Sequence, residues 1–242
     1  MKTLIIIPSR LSATRLPGKP LLKINGVSII SHVFKRAITA NIGEVVVAAE
    51  DQEIVNDVKS NGGNAILTRK NHKTGTDRIN EAFSILSRND IDFIMNIQGD
   101  EPLIDIDDIK NLDNKMKISN AYIGTLAAKI TNTKMYENEN IVKVRVKELF
   151  EKNSFPHADN FVRKIKNKKE LFHHIGVYCY AVDALKKFIS FDQSKNEKRY
   201  RLEQLRALDN NININVALAN SSTIGVDTEQ DYLAIKKIME YK

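Results

Sequence analysis

The first hundred residues alternate between short β-branched apolar runs and longer stretches whose apolar residues recur at helical spacing, and few architectures accommodate that alternation. Thr3 to Pro8 forms one apolar run, after which Ile29, Ile30, Val33, Phe34, Ala37 and Ile38 follow a helical repeat. Val45 to Ala49 is a second run, and Asp51 to Lys59 places Ile54, Val55 and Val58 on one helical face. Ala65 to Leu67, Thr76 to Leu86 and Phe93 to Ile97 continue the series as strand, helix and strand. Strands and helices in strict alternation predict an α/β fold with a doubly wound, mainly parallel sheet, because right-handed crossovers set the helices on both of its faces.

From about Tyr122 the pattern changes. Tyr122 to Ile130 and Ile141 to Val146 are strand-like, a basic polar connector follows, and another strand is predicted near His173 to Val182. The chain then reads as a helix over Arg199 to Leu208, a strand over Ile212 to Leu218 and a terminal helix carrying Leu233, Ile235, Ile238 and Met239. No repeat, low-complexity tract or long linker divides it. A single domain over 1–242 is expected, with a smaller inserted or edge lobe at about 130–195.

Composition narrows the partners. With 42% hydrophobic residues in 242, the chain can build a sizeable core. No apolar run approaches the length of a membrane span and the first residues lack a signal-peptide pattern, so a soluble cytoplasmic protein is expected, without membrane insertion. The one cysteine, Cys179, has no disulfide partner in the chain and no zinc-ligand spacing around it, and reads as a small apolar filler. A formal charge of +7 suits anionic partners, but the absence of tryptophan and of any groove-reading motif argues against nucleic acid. Lys164, Lys166, Lys168 and Lys169 read as solvated surface, whereas Arg10, Arg15 and Lys19 sit in an ordered-looking loop.

Ligands in open α/β sheets bind beyond the carboxyl ends of the strands, which directs attention to the loops after the first and fourth strands. The first, Pro8-Ser9-Arg10-Leu11-Ser12-Ala13-Thr14-Arg15-Leu16-Pro17-Gly18-Lys19-Pro20, holds three cations, a glycine and conformation-restricting prolines. Arginine forks match phosphate oxygens and lysine adds a compact charge, so this loop can clamp a triphosphate. It is neither a Walker A loop nor a dinucleotide fingerprint. The second, Asn96-Ile97-Gln98-Gly99-Asp100-Glu101-Pro102, sets a carboxylate beside a glycine at a strand end, suited to magnesium or equally to a turn before the next helix. Gly225-Val226-Asp227-Thr228 offers another carboxylate, which could meet Asp100 across a metal or could cap the final helix. Thr74-Gly75-Thr76-Asp77-Arg78 opens a helix where backbone N–H groups can approach a nucleotide, or simply cap it. In His173 to Cys179, strand alternation puts His174, Gly176 and Tyr178 on one polar face and Ile175, Val177 and Cys179 on the other. In Arg201 to Leu208, Leu202, Leu205 and Leu208 can form a buried stripe that leaves Glu203, Gln204 and Arg206 on other faces, or the stretch is a plain solvated helix.

Taken in order, Ala13-Thr14-Arg15-Leu16-Pro17-Gly18-Lys19-Pro20-Leu21, Thr74-Gly75-Thr76, Gln98-Gly99-Asp100-Glu101-Pro102-Leu103, His174-Ile175-Gly176-Val177-Tyr178, Leu202-Glu203-Gln204-Leu205-Arg206 and Gly225-Val226-Asp227-Thr228 resemble the 3-deoxy-manno-octulosonate cytidylyltransferase family. The resemblance spans almost the whole chain and implies a Rossmann-like fold of the nucleotide-diphospho-sugar transferase type. It implies transfer of CMP from CTP to the anomeric hydroxyl of 3-deoxy-D-manno-octulosonate, for lipopolysaccharide synthesis, by a Mg2+-dependent homodimer. It implies that Pro8, Ser9, Arg10, Arg15, Lys19, Thr74, Gly75 and Gln98 bind CTP, and that Asp100 and Asp227 hold the metal. Lys19, Asp100 and Asp227 are the implied catalytic residues, and Gln98, His174, Tyr178, Glu203 and Gln204 the implied sugar ligands. Ser9 stands where alanine is usual, Thr74 where serine is usual, and Lys152 where an arginine is expected. Lysine does not reproduce arginine's bidentate grip on a carboxylate, so a sialic acid, an amino-substituted octulosonate or a sugar 1-phosphate stays open as the acceptor. A noncatalytic subunit that keeps only the fold conflicts with both carboxylate motifs.

Overall fold

The computed structural model describes residues 1–12, 15–151, 153–165, 170–222 and 225–241. Lys152, Lys166, Lys168 and Lys169, and the Ala13-Thr14 pair of the first loop, lie outside the described residues. The chain divides into two compact units, 1–106 with 223–242, and 107–222. The stretch expected as a lobe, about 130–195, falls inside the second.

In the first unit the expected alternation is realised. It contains β1 (Thr3–Ser9), a small hairpin of β2 (Lys23–Ile24) and β3 (Val27–Ser28), α1 (Ile29–Thr39), β4 (Gly43–Ala49), α2 (Gln52–Ser60), β5 (Ala65–Leu67), α3 (Gly75–Leu86) and β6 (Phe93–Asn96). β1 pairs in parallel with β4, Thr3 opposite Gly43, and with β6, Thr3 opposite Phe93; β4 pairs in parallel with β5. The order β6-β1-β4-β5 reverses direction at β1, so a crevice opens at that strand's carboxyl end. Leu4 to Ile7 and Val45 to Ala49 are buried without alternation, as strands covered on both faces must be. Ser28 caps α1, its side chain accepting from the Ser31 N–H at 3.2 Å, and Ile29, Ile30, Val33, Phe34 and Ala37 form its buried stripe. Ile38 is exposed instead: the 3.6-residue repeat has carried it off the core face.

The second unit has a mixed sheet. Its elements are α4 (Ile106–Ser119), β7 (Ile123–Lys129), the short α5 (Lys134–Glu137), β8 (Lys143–Val146), β9 (Ala158–Val162), β10 (Leu171–Ala181), α6 (Val182–Ser190), α7 (Lys195–Tyr200), α8 (Leu205–Asp209) and β11 (Asn215–Leu218). β7 pairs in parallel with β11 and antiparallel with β10; β8 pairs antiparallel with both β10 and β9. The basic connector thus contains a strand, β9, anchored by buried Ala158 and Phe161. The single helix expected over Arg199 to Leu208 is two, because Arg201 takes a left-handed conformation, φ 52°, and ends α7.

The chain closes in the first unit with α9 (Glu229–Glu240). Of its expected core residues only Ile235 is buried; Leu233 and Ile238 are exposed and Met239 is half-buried. Ile235 joins Ile24, Ile29 and Val226 in one cluster, and the Tyr232 hydroxyl donates to the Lys23 carbonyl at 2.7 Å. α9 is therefore pinned to the hairpin, and the residues just before it are fixed in turn.

Candidate active site

The crevice beyond β1 is built by three loops. The first is tied down at three of its described residues: the Leu11 N–H donates to Asp51 Oδ2 at 2.9 Å, Ser12 Oγ to Glu50 Oε1 at 2.9 Å, and the Gly18 N–H to the Leu11 carbonyl at 3.1 Å. Gly18 sits at φ +71°, a left-handed conformation that glycine adopts without a Cβ penalty, and it starts the turn Lys19–Leu21. That turn holds the Lys19 side chain in the crevice, only 16% exposed.

The second loop leaves β6. A Cβ on Gly99 would lie 3.0 Å from the Pro8 carbonyl oxygen and 3.0 Å from Ile30 Cδ1, so the residue preceding Asp100 permits this loop to pack against the end of β1. Its next residue reaches the far end of the chain, where the Val226 N–H donates to the Asp100 carbonyl at 2.8 Å. Because Val226 is fully buried and α9 is pinned, Asp227 is set beside Asp100. The helix cap is Thr228, which accepts from the Asp231 N–H in a capping box, so the Asp227 carboxylate is left for other work.

Lys19 closes the constellation. Its Nζ donates to Asp100 Oδ2 in a short contact, to the Val226 carbonyl at 2.9 Å and toward Asp227 Oδ1 at 3.4 Å, while Arg15 Nη2 lies 3.0 Å from Asp227 Oδ2. Two carboxylates thus converge on one small cation. Around them lies a cleft of about 340 Å³ lined by Pro8, Ser9, Arg10, Arg15, Lys19, Thr74, Gly75, Gln98, Asp100 and Asp227, every residue of the first unit that the sequence marked for nucleotide or metal. His72, Lys73 and Arg78 line it too and were not marked. The first two immediately precede the Thr74-Gly75-Thr76 stretch, which was the available signal. Thr74 both caps α3 and lines the cleft, so its capping role leaves the cleft-facing reading of that motif open.

The marked residues of the second unit gather around β10. A bulge between Ile175 and Tyr178 shifts its register against β7. The Thr125 hydroxyl donates to the Val177 carbonyl at 2.7 Å and lies 3.1 Å from His174 Nε2, which leaves the imidazole Nε2–H as the donor in that second contact. The His174 ring meets Phe161 edge-on with centroids 5.1 Å apart and Tyr178 at 5.4 Å. Burial, and then the neighbouring Tyr180 and Glu203, push the Tyr178 hydroxyl well above its ordinary pKa. His174, Tyr178 and Glu203 are therefore neighbours, with buried Gln204 next in sequence at the start of α8. The strand is buried on both faces: His174 and Tyr178 are 8% exposed, Ile175 and Val177 3% and 0%. Arg206, which lies off the leucine stripe, is buried as well, against the plain solvated-helix reading. Cys179 is the apolar filler expected, its thiol pushed up by burial.

Burial holds His174 neutral, its pKa lowered to about 3, with His173 adding to the effect; His173 itself is lowered to about 4 by burial and then by Lys143. Unfolded, each would titrate near 6.5. The unfolded chain therefore takes up protons that the folded chain refuses as pH falls below 6.5, and stability drops. Between pH 7 and pH 5 each histidine is expected to remove about 2 kcal/mol. Urea midpoints at the two pH values check this, and His174→Gln should remove roughly half of the difference, leaving the share of His173.

A family model described as Cytidylyltransferase matches residues 4–214. A 3-deoxy-manno-octulosonate cytidylyltransferase of Thermodesulfovibrio yellowstonii is 38% identical over 99% of this chain and 98% of its own length, and one of Brucella canis is 42% identical over 96% and 93%. The chain belongs to the 3-deoxy-manno-octulosonate cytidylyltransferase family. Among solved structures, that of a CMP:2-keto-3-deoxy-manno-octonic acid synthetase complexed with CTP superposes with a TM-score of 0.89 at 34% identity, covering 100% of this chain and 99% of that one.

For a member of the 3-deoxy-manno-octulosonate cytidylyltransferase family, the donor set in the cleft is suited to a hard divalent cation. Asp100 and Asp227 present oxygen donors to a single point now taken by the Lys19 ammonium, and such ions complete their shells with phosphate oxygens and water. Among the described residues no group of three or more His, Cys, Asp or Glu side chains could hold a metal, so the two carboxylates would need those external ligands. Among the described residues, too, no helix is long and apolar enough to cross a membrane.

Proposed function

We propose that this chain transfers CMP from CTP to the anomeric hydroxyl of 3-deoxy-D-manno-octulosonate, releasing pyrophosphate, with Mg2+ as its metal, and so supplies the activated sugar for lipopolysaccharide synthesis. The observation that carries the reading is the convergence of Asp100 and Asp227 on Lys19 in a cleft bordered by Arg10 and Arg15. Family membership supplies the sugar. Arg10, Arg15 and Lys19 hold the triphosphate, with Pro8, Ser9, Thr74, Gly75 and Gln98 around the nucleotide. The hydroxyl oxygen bonds to the α-phosphorus in line as the bond from that phosphorus to the bridging β-phosphate oxygen breaks, and the hydroxyl proton passes to water. Lys19 offsets the charge that develops on the α-phosphate. Asp100 and Asp227 would hold the magnesium, which when bound supplies acidification of the hydroxyl and neutralisation of phosphate charge. His174, Tyr178, Glu203 and Gln204, with Gln98, are the proposed sugar ligands; a neutral His174 suits a hydrogen-bonding rather than a charge-pairing role. The protein is proposed to act as a cytoplasmic homodimer, which sedimentation at micromolar concentration tests.

Pyrophosphate release from CTP should require both the sugar and Mg2+, and release with a different acid sugar alone would keep the mechanism and replace the acceptor. Ser9 gives a finer test. Its hydroxyl is buried at the cleft with no hydrogen-bond partner among the described residues, and a nucleotide acceptor would provide one. Ser9→Ala is expected to raise the KM for CTP about threefold to tenfold with kcat nearly unchanged. Because the substitution removes an unsatisfied buried group, thermal stability should hold or rise. A lowered melting temperature with unchanged KM would contradict the assignment.

A further inference from the structure

We infer that Glu50, through its buried pair with Arg78, is a positioning residue that sets the phosphate loop and the start of α3 at the spacing a bound nucleotide needs. The inference rests on the nucleotide reading of the cleft and extends it to residues that touch no proposed reacting atom.

Glu50 follows the last residue of β4, and it and Arg78 are both buried. One carboxylate oxygen, Oε2, accepts from Arg78 Nη2; the other, Oε1, accepts from Ser12 Oγ at 2.9 Å. Arg78 lies on the first turn of α3, three residues after Gly75, and its Nη1 donates to Thr68 Oγ1 at 2.7 Å and to the Arg69 carbonyl at 3.0 Å. A single carboxylate therefore joins the loops leaving β1 and β5 to the end of β4. The adjacent Asp51 repeats the tie from outside, accepting from the Leu11 N–H at 2.9 Å.

The chemistry of Arg78 gives the arrangement its meaning. An arginine lining an anion-binding cleft is an obvious phosphate ligand, yet here its fork is occupied by a carboxylate, a hydroxyl and a carbonyl. A buried guanidinium held by a buried carboxylate fixes geometry, because charged hydrogen bonds are directional and few alternative partners exist in a low-dielectric site. Ser12 is exposed and lies between the two cationic parts of the loop, Arg10 and Arg15. Its bond to Glu50 anchors the loop at Ser12, two residues after Arg10, and so holds that side of the loop at the cleft.

The experiment compares wild type, Ser12→Ala, Glu50→Gln and Glu50→Asp by CTP titration calorimetry, steady-state kinetics and thermal melting. Ser12→Ala should melt with wild type, since the side chain is exposed, and should weaken CTP binding and raise its KM about fivefold with kcat within twofold. Glu50→Gln should weaken CTP about tenfold, and Glu50→Asp, which keeps the charge, should recover most of the loss. Ser12→Ala and Glu50→Gln that bind CTP as tightly as wild type would overturn the positioning role while leaving the nucleotide site standing. Wild-type protein that binds no CTP would overturn both.

Discussion

Turnover is expected to fall about 10²- to 10³-fold when Asp100 is replaced by Asn, with the fold retained, on the scale seen when one preorganised electrostatic contact is lost from a reacting centre. The Asp100 backbone, not its side chain, makes the structural contact, accepting from the Val226 N–H at 2.8 Å. Its carboxylate is partly exposed and engages Lys19, which keeps the Val226 carbonyl at 2.9 Å after the change. The substitution therefore removes a charge from the cleft without opening a cavity or stranding a buried group. Asp227 would then be the one carboxylate left to Lys19 among the described residues. Since binding to the folded state alone raises stability, the wild-type melting temperature should rise with Mg2+ and CTP together. That rise should be largely lost in Asp100→Asn, a readout independent of turnover. Wild-type rates, or an undiminished thermal response, would overturn the proposed metal role of Asp100.

The features that make this cleft were legible to different depths. Continuous β-branched runs such as Leu4 to Ile7 announced the parallel strands, because a strand covered on both faces leaves no room for polar alternation. Cation-rich and carboxylate loops at strand ends were visible as motifs, and the resemblance placed them together. The meeting of Lys19 with Asp227 depends on α9 docking against the hairpin, a contact between distant parts of the chain that no local pattern carries. β9 was hidden because Ala158-Asp159-Asn160-Phe161-Val162 offers only two deeply buried apolar anchors. The break at Arg201 was hidden for the opposite reason: Leu202, Leu205 and Leu208 keep helical spacing from the residue just after it, although regular helix resumes only at Leu205, so periodicity favoured one helix. Glu50 and Arg78 were passed over because a charged residue shows its burial only when its partner is known.

The same blind spot hid the pair on which the other large effect depends. Arg206 is 2% exposed, and it grips Glu197 with both edges of its fork, Nε to Oε2 at 2.8 Å and Nη2 to Oε1 at 2.6 Å. Its guanidinium carbon lies 4.6 Å from the centre of the Phe188 ring. Burial alone would raise the Glu197 pKa, but the bonds from Arg206 and Gln193 outweigh it and hold the carboxyl below its usual range. Glu197 also closes the capping box of α7 with Ser194, so the pair joins α7 to α8, immediately after Glu203 and Gln204. Arg206→Met would leave a buried carboxylate without its main partner, and it is expected to cost about 3–5 kcal/mol. Such a loss lowers a melting temperature by on the order of 10 °C in a chain of this size. Glu197→Leu combined with Arg206→Met should restore much of that loss, because replacing both charges removes the desolvation penalty together with the attraction. A double variant as unstable as the single would show that the arginine acts through packing on Phe188 instead of through the ion pair. If the pair also holds Glu203 and Gln204 in place, the double variant should regain stability while its KM for the acid sugar stays raised.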